Sequence, residues 1–209
     1  MYLHHPQTLK IKELIQSGRL GDVLSISSCF DYYLPEDAAD NIRLNKKLDG
    51  GSLWDVGVYP NSLAISMADA GAPSEVYAMK RYDGTEVDSS AYGQLKFSNN
   101  VVAHIAVSLR SPNRVGATIV GMEGFLSINN PWKPGLDGNE SQIVLTTTDD
   151  KEEVFRFPAV TPYQSEIAAM ESCIIDGSAP IVPLNMSRQF LRSMLALHES
   201  ARTGTLITL

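Results

Sequence analysis

The sequence predicts an α+β fold: a large, mostly antiparallel, open sheet with helices on one face. Three observations lead there. Helical periodicity lies toward both ends of the 209 residues, the middle carries one strand-like run after another, and short turn signals rather than helices separate those runs. A parallel sheet of βαβ units would interleave the two periods, so it is excluded. With 44% hydrophobic and 20% charged residues, the chain can bury one sizeable core, and a single domain over 1–209 is the expectation.

From Pro6 to Ser17, Leu9, Leu14 and Ile15 sit among Lys and Glu, and Gly18 follows where a helix end favours positive φ. This is a short amphipathic helix. DVLSISSCF then alternates as a strand, with Leu24, Ile26, Ser28 and Phe30 on one face. The polar run DYYLPEDAADNIRLNKKLDGG is predicted to be a surface loop. Leu53 to Met67 reads as a helix, and Pro60 inside it should kink it by removing the bond to the Val56 carbonyl.

Beyond GAP at 71–73 the period changes to two. SEVYAMKRY, SSAYGQLKF, VVAHIAVSLR, VGATIVG, GFLSI, SQIVLTTT and EEVFRF form an antiparallel meander of seven strands, with DG, NN, SPN, EG and DDK as turns. The Asn-, Pro- and Gly-rich stretch 129–141 is a loop. Helix returns at TPYQSEIAAMESCIIDG, with Thr161 as N-cap, Pro162 in the first turn and Gly177 closing it. LNMSRQFLRSMLALHESARTG places Phe190, Leu191, Met194, Leu195 and His198 at helical spacing before Gly204. Helices on one face leave the other face of the sheet open, and a homodimer formed sheet to sheet is the expected cover.

A net charge of -7 and a pI near 5.0 argue against nucleic acid, which needs clustered cations. No apolar run reaches membrane-spanning length and MYLHHPQTLK lacks the apolar core of an export signal, so the expected location is cytoplasmic. Cys29 and Cys173 lack metal-type spacing and are too few for a disulfide scaffold. No metal motif, nucleophile elbow, P-loop or dinucleotide glycine fingerprint occurs.

The stretch GGSLWDVGVYPNSLA carries an acid and a phenol, Asp55 and Tyr59, four residues apart in an apolar run. Two readings are open. On one helix, positions i and i+4 share a face, so a tyrosine could exchange a proton with a carbinol while the carboxylate orients a hydroxyl. Alternatively, Asp55 caps the helix start and Tyr59 is a core aromatic. Arg43 is either a ligand for a hydroxylated or anionic molecule or a solvated charge. The histidines His4, His5, His104 and His198 read as core or surface residues.

Together these segments resemble the Gfo/Idh/MocA family of NAD(P)-dependent oxidoreductases. MYLHHPQTLKIKELIQSGRLGDV is similar to the segment that follows the family's cofactor domain, and NIRLNKKLDGGSLWDVGVYPNSLA to its GGGxLxDxGxH/Y helix. VGMEGFLSI is similar to its V-x-G-x-x-G-x-L strand pair, and SRQFLRSMLALHESARTGTLITL to its C-terminal helix. The resemblance implies a C-terminal domain like that of glyceraldehyde-3-phosphate dehydrogenase, which binds substrate and dimerises. It implies Tyr59 and Asp55 as catalytic residues, Arg43 and His5 as substrate-binding and Tyr2 as cofactor-binding. Leu3 departs from the family's usual arginine. The NIRL run with the tyrosine variant resembles the dihydrodiol, xylose and glucose-fructose branch, which implies a sugar or cyclic polyol substrate. The Rossmann domain, with its glycine fingerprint and Glu-Lys-Pro lysine, is not in this sequence. The chain alone is therefore expected to bind no NAD(P) and to be inactive, the alternative being a non-catalytic dimerisation or sugar-binding module.

Overall fold

A computed structural model of the chain describes residues 1–35 and 41–209. The fold is α+β with a mostly antiparallel open sheet, as the sequence predicts. The residues group into two compact units, the first comprising 1–24 and 116–187 and the second 25–115 and 188–209.

In the second unit, strand β1 (Val23–Tyr33) leads through two short 3-10 turns, Ile42–Leu44 and Lys46–Leu48, to helices α2 (Ser52–Asp55) and α3 (Val58–Ala68). Helix α1 lies earlier, at Pro6–Gln16, in the first unit. The predicted surface loop is thus shorter than expected, since β1 extends through Tyr33, and its residues 36–40 lie outside those described. Strands β2 (Glu75–Arg81), β3 (Ser90–Lys96) and β4 (Val102–Ser108) then form an antiparallel set.

Here the structure departs from the predicted meander: in the strand order β1 stands between β4 and the next strand, and that strand begins at Arg110, so the SPN residues predicted as a turn lie within it. β1 pairs with β4 in parallel, from Ser25↔Val102 to Asp31↔Ser108. A parallel pair needs a long connection, and the residues between β1 and β4, which carry α2, α3, β2 and β3, supply it. Alternation within one strand cannot reveal its partner.

The helices cover one face of this unit's strands. A Cβ on Gly93 would meet Ile105 Cγ1 at 2.9 Å and Leu197 Cδ2 at 3.0 Å, so β3 and β4 lie directly under helix α5 (Leu184–Thr203) there. Ala91, Leu95, Ala103, Ile105 and Val107 point the same way and are buried. The opposite face leaves Met79 and Tyr92, cross-strand partners, exposed. On α5, Met194 and Leu197 are buried while Leu191 and Leu195 face solvent, so the buried stripe is rotated from the expected one.

The helix break falls elsewhere than expected. α2 ends at Asp55, and Val56 and Gly57 make the bend. A Cβ on Gly57 would sit 2.4 Å from the Leu53 carbonyl oxygen. Pro60 is instead in the first turn of α3, where its missing N–H has no partner to lose. α3 is buried from Pro60 to Ala68, and Asn61 ties it to α5 by accepting from Ser193 Oγ at 2.6 Å and donating to the Phe190 carbonyl.

In the first unit, the end of β5 (Arg110–Gly121), β6 (Gly124–Ile128), β7 (Ser141–Thr147) and β8 (Glu152–Phe157) pair antiparallel in sequence order. The loop at 129–141 buries Trp132 against Tyr2, edge to face at 5.4 Å. Helix α4 (Pro162–Ile175) starts as predicted, Thr161 accepting from the Gln164 N–H, and Gly177 follows it at φ +67°. A two-residue strand β9 (Ile207–Thr208), in the second unit, pairs with β2.

Candidate functional site

The site grows from the two glycines that precede α2. Gly51 donates its N–H to the Arg43 carbonyl at 2.8 Å, and a Cβ on Gly50 would lie 2.5 Å from that oxygen. No other residue allows the Arg43 turn to approach so closely. Asn41 caps that turn through a side-chain bond to the Arg43 N–H.

Docked this way, Arg43 donates from Nε to Asp55 Oδ1 at 2.9 Å. From β1, Tyr32 donates its hydroxyl to the other oxygen, Oδ2, at 2.7 Å. The two donors approach one carboxylate oxygen each, so the carboxylate is fixed in orientation, yet each oxygen keeps a further lone pair. Asp55 and Arg43 are 23% and 41% exposed at their side chains, so water or a ligand reaches both. Asp55 holds the Arg43 guanidinium above its usual range, and burial followed by the Asp55 bond pushes the Tyr32 phenol up. Tyr32 is consequently a fixed donor.

Tyr59 reaches the cluster through aromatic packing. Its ring meets Phe30 edge to face at 5.2 Å, and Phe30 in turn lies 6.3 Å from Tyr32. Asp55 and Tyr59 sit on two successive helices rather than on one, so the i, i+4 relation expected of a single helix does not hold for them.

Asp55 is not the helix cap. That task belongs to Asp88, whose Oδ2 accepts from Ser52 Oγ at 2.7 Å and from the Leu53 N–H at 2.8 Å. Asp88 is 2% exposed and pairs with Lys80 at 2.9 Å. Lys80 also reaches His198 Nδ1, and the His198 ring stacks on Trp54 at 4.5 Å.

The remaining predicted site residues, His5 and Tyr2, belong to the other unit. His5 is fully buried. Its Nδ1 accepts the Gln7 N–H, so the ring proton sits on Nε2 and is donated to the Val160 carbonyl at 2.9 Å. Burial lowers its pKa, with the Val160 bond acting against that. Tyr2 is 3% exposed against Trp132 and offers almost no surface to a ligand.

Sequence reasoning missed Tyr32, Lys80 and Asp88. For Tyr32 a signal existed: the strand face Ile26, Ser28, Phe30 continues by alternation to Tyr32. Asp88 lies in a polar run with other acids, and nothing local marks it as buried.

A Rossmann dinucleotide site needs a GxGxxG turn that leads from a strand into a helix, and the described residues contain none. The described residues therefore offer no cradle of that kind for NAD(P). Among the described residues no group of three or more His, Cys, Asp or Glu is placed to hold a metal ion, and no helix is long and apolar enough to cross a membrane.

Comparison with known proteins identifies the family. A family model described as the GFO/IDH/MocA C-terminal domain matches residues 8–127. A D-xylose 1-dehydrogenase (NADP(+)) of Haloferax volcanii is 31% identical over 211 residues, covering 100% of this chain and 63% of that protein. A dTDP-3,4-didehydro-2,6-dideoxy-α-D-glucose 3-reductase of Streptomyces violaceoruber is 28% identical over 83% of this chain and 50% of that protein. Among solved structures, an aldose-aldose oxidoreductase from Caulobacter crescentus complexed with glycerol superposes with a TM-score of 0.85 at 22% identity, covering 100% of this chain and 62% of that one. The chain thus spans about half to two thirds of the length of these relatives. On the family model and the full-length match, the chain belongs to the Gfo/Idh/MocA family of oxidoreductases and corresponds to its C-terminal domain.

Proposed function

We propose that this chain is the substrate-binding part of an NAD(P)-dependent oxidoreductase acting on a CH–OH group of a sugar or cyclic polyol. The observation that carries the reading is the Arg43–Asp55–Tyr32 cluster beside Tyr59. A carboxylate whose two oxygens are each held by one donor and still accept another suits a polyol, whose neighbouring hydroxyls present donors at matching spacing. Asp55 orients the reacting hydroxyl, Arg43 donates to an adjacent oxygen, and Tyr59 takes or returns the hydroxyl proton. When held by the dinucleotide-binding domain of such an enzyme, NAD(P) supplies the hydride acceptor or donor. The polypeptide by itself is expected to turn over no substrate.

A titration of D-xylose into the ¹⁵N-labelled chain tests this. The Arg43, Asp55 and Tyr59 resonances are expected to move first, and calorimetry with NADH or NADPH to show no binding. Sugar-induced shifts confined to other residues, or tight binding of either nucleotide, would sink the reading.

The open sheet face supports a second element, a homodimer. Met79 and Tyr92 are 56% and 47% exposed on the side away from the helices, where they lie opposite each other on β2 and β3. Light scattering is expected to give twice the chain mass, and Tyr92→Glu to give the monomer. An unaltered chain that runs as a monomer at high concentration rules this element out.

A further inference from the structure

Resting on the sugar-binding reading, we propose that Asp88, clamped by Lys80, is the positioning residue of the site: it fixes the first turn of α2 and, through that turn, the Asp55 carboxylate.

α2 is four residues long, too short to hold itself. Three of the four are pinned by one cluster. Ser52 and Leu53 donate to the Asp88 carboxylate, and Ser52 also donates its N–H to the Asp88 carbonyl at 2.8 Å. Trp54 stacks on His198, whose Nδ1 accepts from the Lys80 ammonium at 2.9 Å. The fourth residue is Asp55, and its own N–H reaches back to the Gly51 carbonyl at 3.0 Å. Gly51 completes the arrangement. At φ +116° with Asp88 Oδ1 only 2.5 Å from where a Cβ would stand, it lets the buried carboxylate come flush against the turn. The direction of Asp55 toward Arg43 and Tyr32 is therefore set from behind by groups that touch no substrate.

Only a carboxylate completes this contact. Oδ2 accepts twice from α2 while Oδ1 meets the Lys80 ammonium. In Asp88→Asn one of these oxygens becomes an NH₂, which either faces the ammonium or withdraws from α2.

Hydrogen exchange by NMR on the full chain, combined with D-xylose titration, tests the proposal. In Asp88→Asn the Arg43 Nε–H and the amides of Asp55 and Val56 are expected to exchange about tenfold faster, while Leu95 and Ile105 on β3 and β4 keep their rates. D-Xylose binding should weaken by about tenfold as well. Ser52→Ala removes a single bond without altering a charge and is expected to act in the same direction by about threefold; it decides the matter if Asp88→Asn does not fold. Unchanged exchange at Arg43 and Asp55, or acceleration spread evenly across β3 and β4, overturns the proposal. Local loosening in a protein whose unaltered form binds no sugar upholds the anchor and overturns the sugar reading, so the two fail separately.

Discussion

The two units differ in how they handle charge. In the first, the ion pairs lie at the surface: Arg19 and Glu153 are 47% and 49% exposed, and Lys151 and Asp149 more so. Its interior is apolar packing around Trp132 together with a neutral His5. The second unit has exposed pairs as well, Lys46 with Glu86 among them, but it also takes two acids inside. Asp88 and Asp31 are each 3% exposed at their side chains, paired with Lys80 and Arg114. A buried carboxylate is costly unless every lone pair is directed, and the directing groups in turn fix the backbone that carries them. The unit with the buried acids is also the unit that holds Asp55 and Tyr59 in place. Where a side chain must be aimed, directional bonds aim it; where only stability is needed, apolar contact suffices.

The contrast can be broken by substitution. Trp132→Ala in the first unit is expected to cost about 4 kcal/mol, measured by urea unfolding, because a large ring leaves a cavity. Lys80→Met in the second unit should cost about 3 kcal/mol by leaving Asp88 buried without its cation. A loss below about 1 kcal/mol there would mean that the pair is hydrated, and the contrast would fail.

A pH effect comes next in size. Burial, and then the Lys80 charge, lower the His198 pKa from 6.5 to about 4. Between those values the unfolded chain binds a proton that the folded chain does not, so stability falls as the pH drops from 6.5 toward 4. The melting temperature should decline over that window, and His198→Phe, which keeps a ring on Trp54, should flatten the decline. A decline of the same steepness in His198→Phe assigns it to other groups. The smallest effect is expected of Arg19→Ala, within about 0.5 kcal/mol of the unaltered chain, since its pair with Glu153 is solvated on both sides.

Much of this molecule is legible without coordinates. Strand alternation located β2 through β8, although β5 starts at Arg110 and absorbs the SPN expected as a turn; Thr161 with Pro162 located the start of α4, and the glycines at 177 and 204 marked helix ends. These are local signals, carried by spacing and by residues with special backbone freedom. The break before α3 was misplaced for an equally local reason: proline is harmless in a first turn, and nothing in the sequence said that the first turn was there. The site was legible in part. Asp55, Tyr59 and Arg43 stood out as polar groups beside an apolar run, and the bond between Arg43 and Asp55 draws two of them together.

By itself, the sequence determined the fold class, the order of the elements and the polar residues of the central stretch, because periodicity and capping act over a few residues. Only the tertiary structure decided that β1 runs parallel to β4, that Tyr32 closes on Asp55, and that Asp88 caps α2 from 36 residues away. Those contacts join distant segments, and a buried acid is distinguishable from an exposed one only by what surrounds it in space.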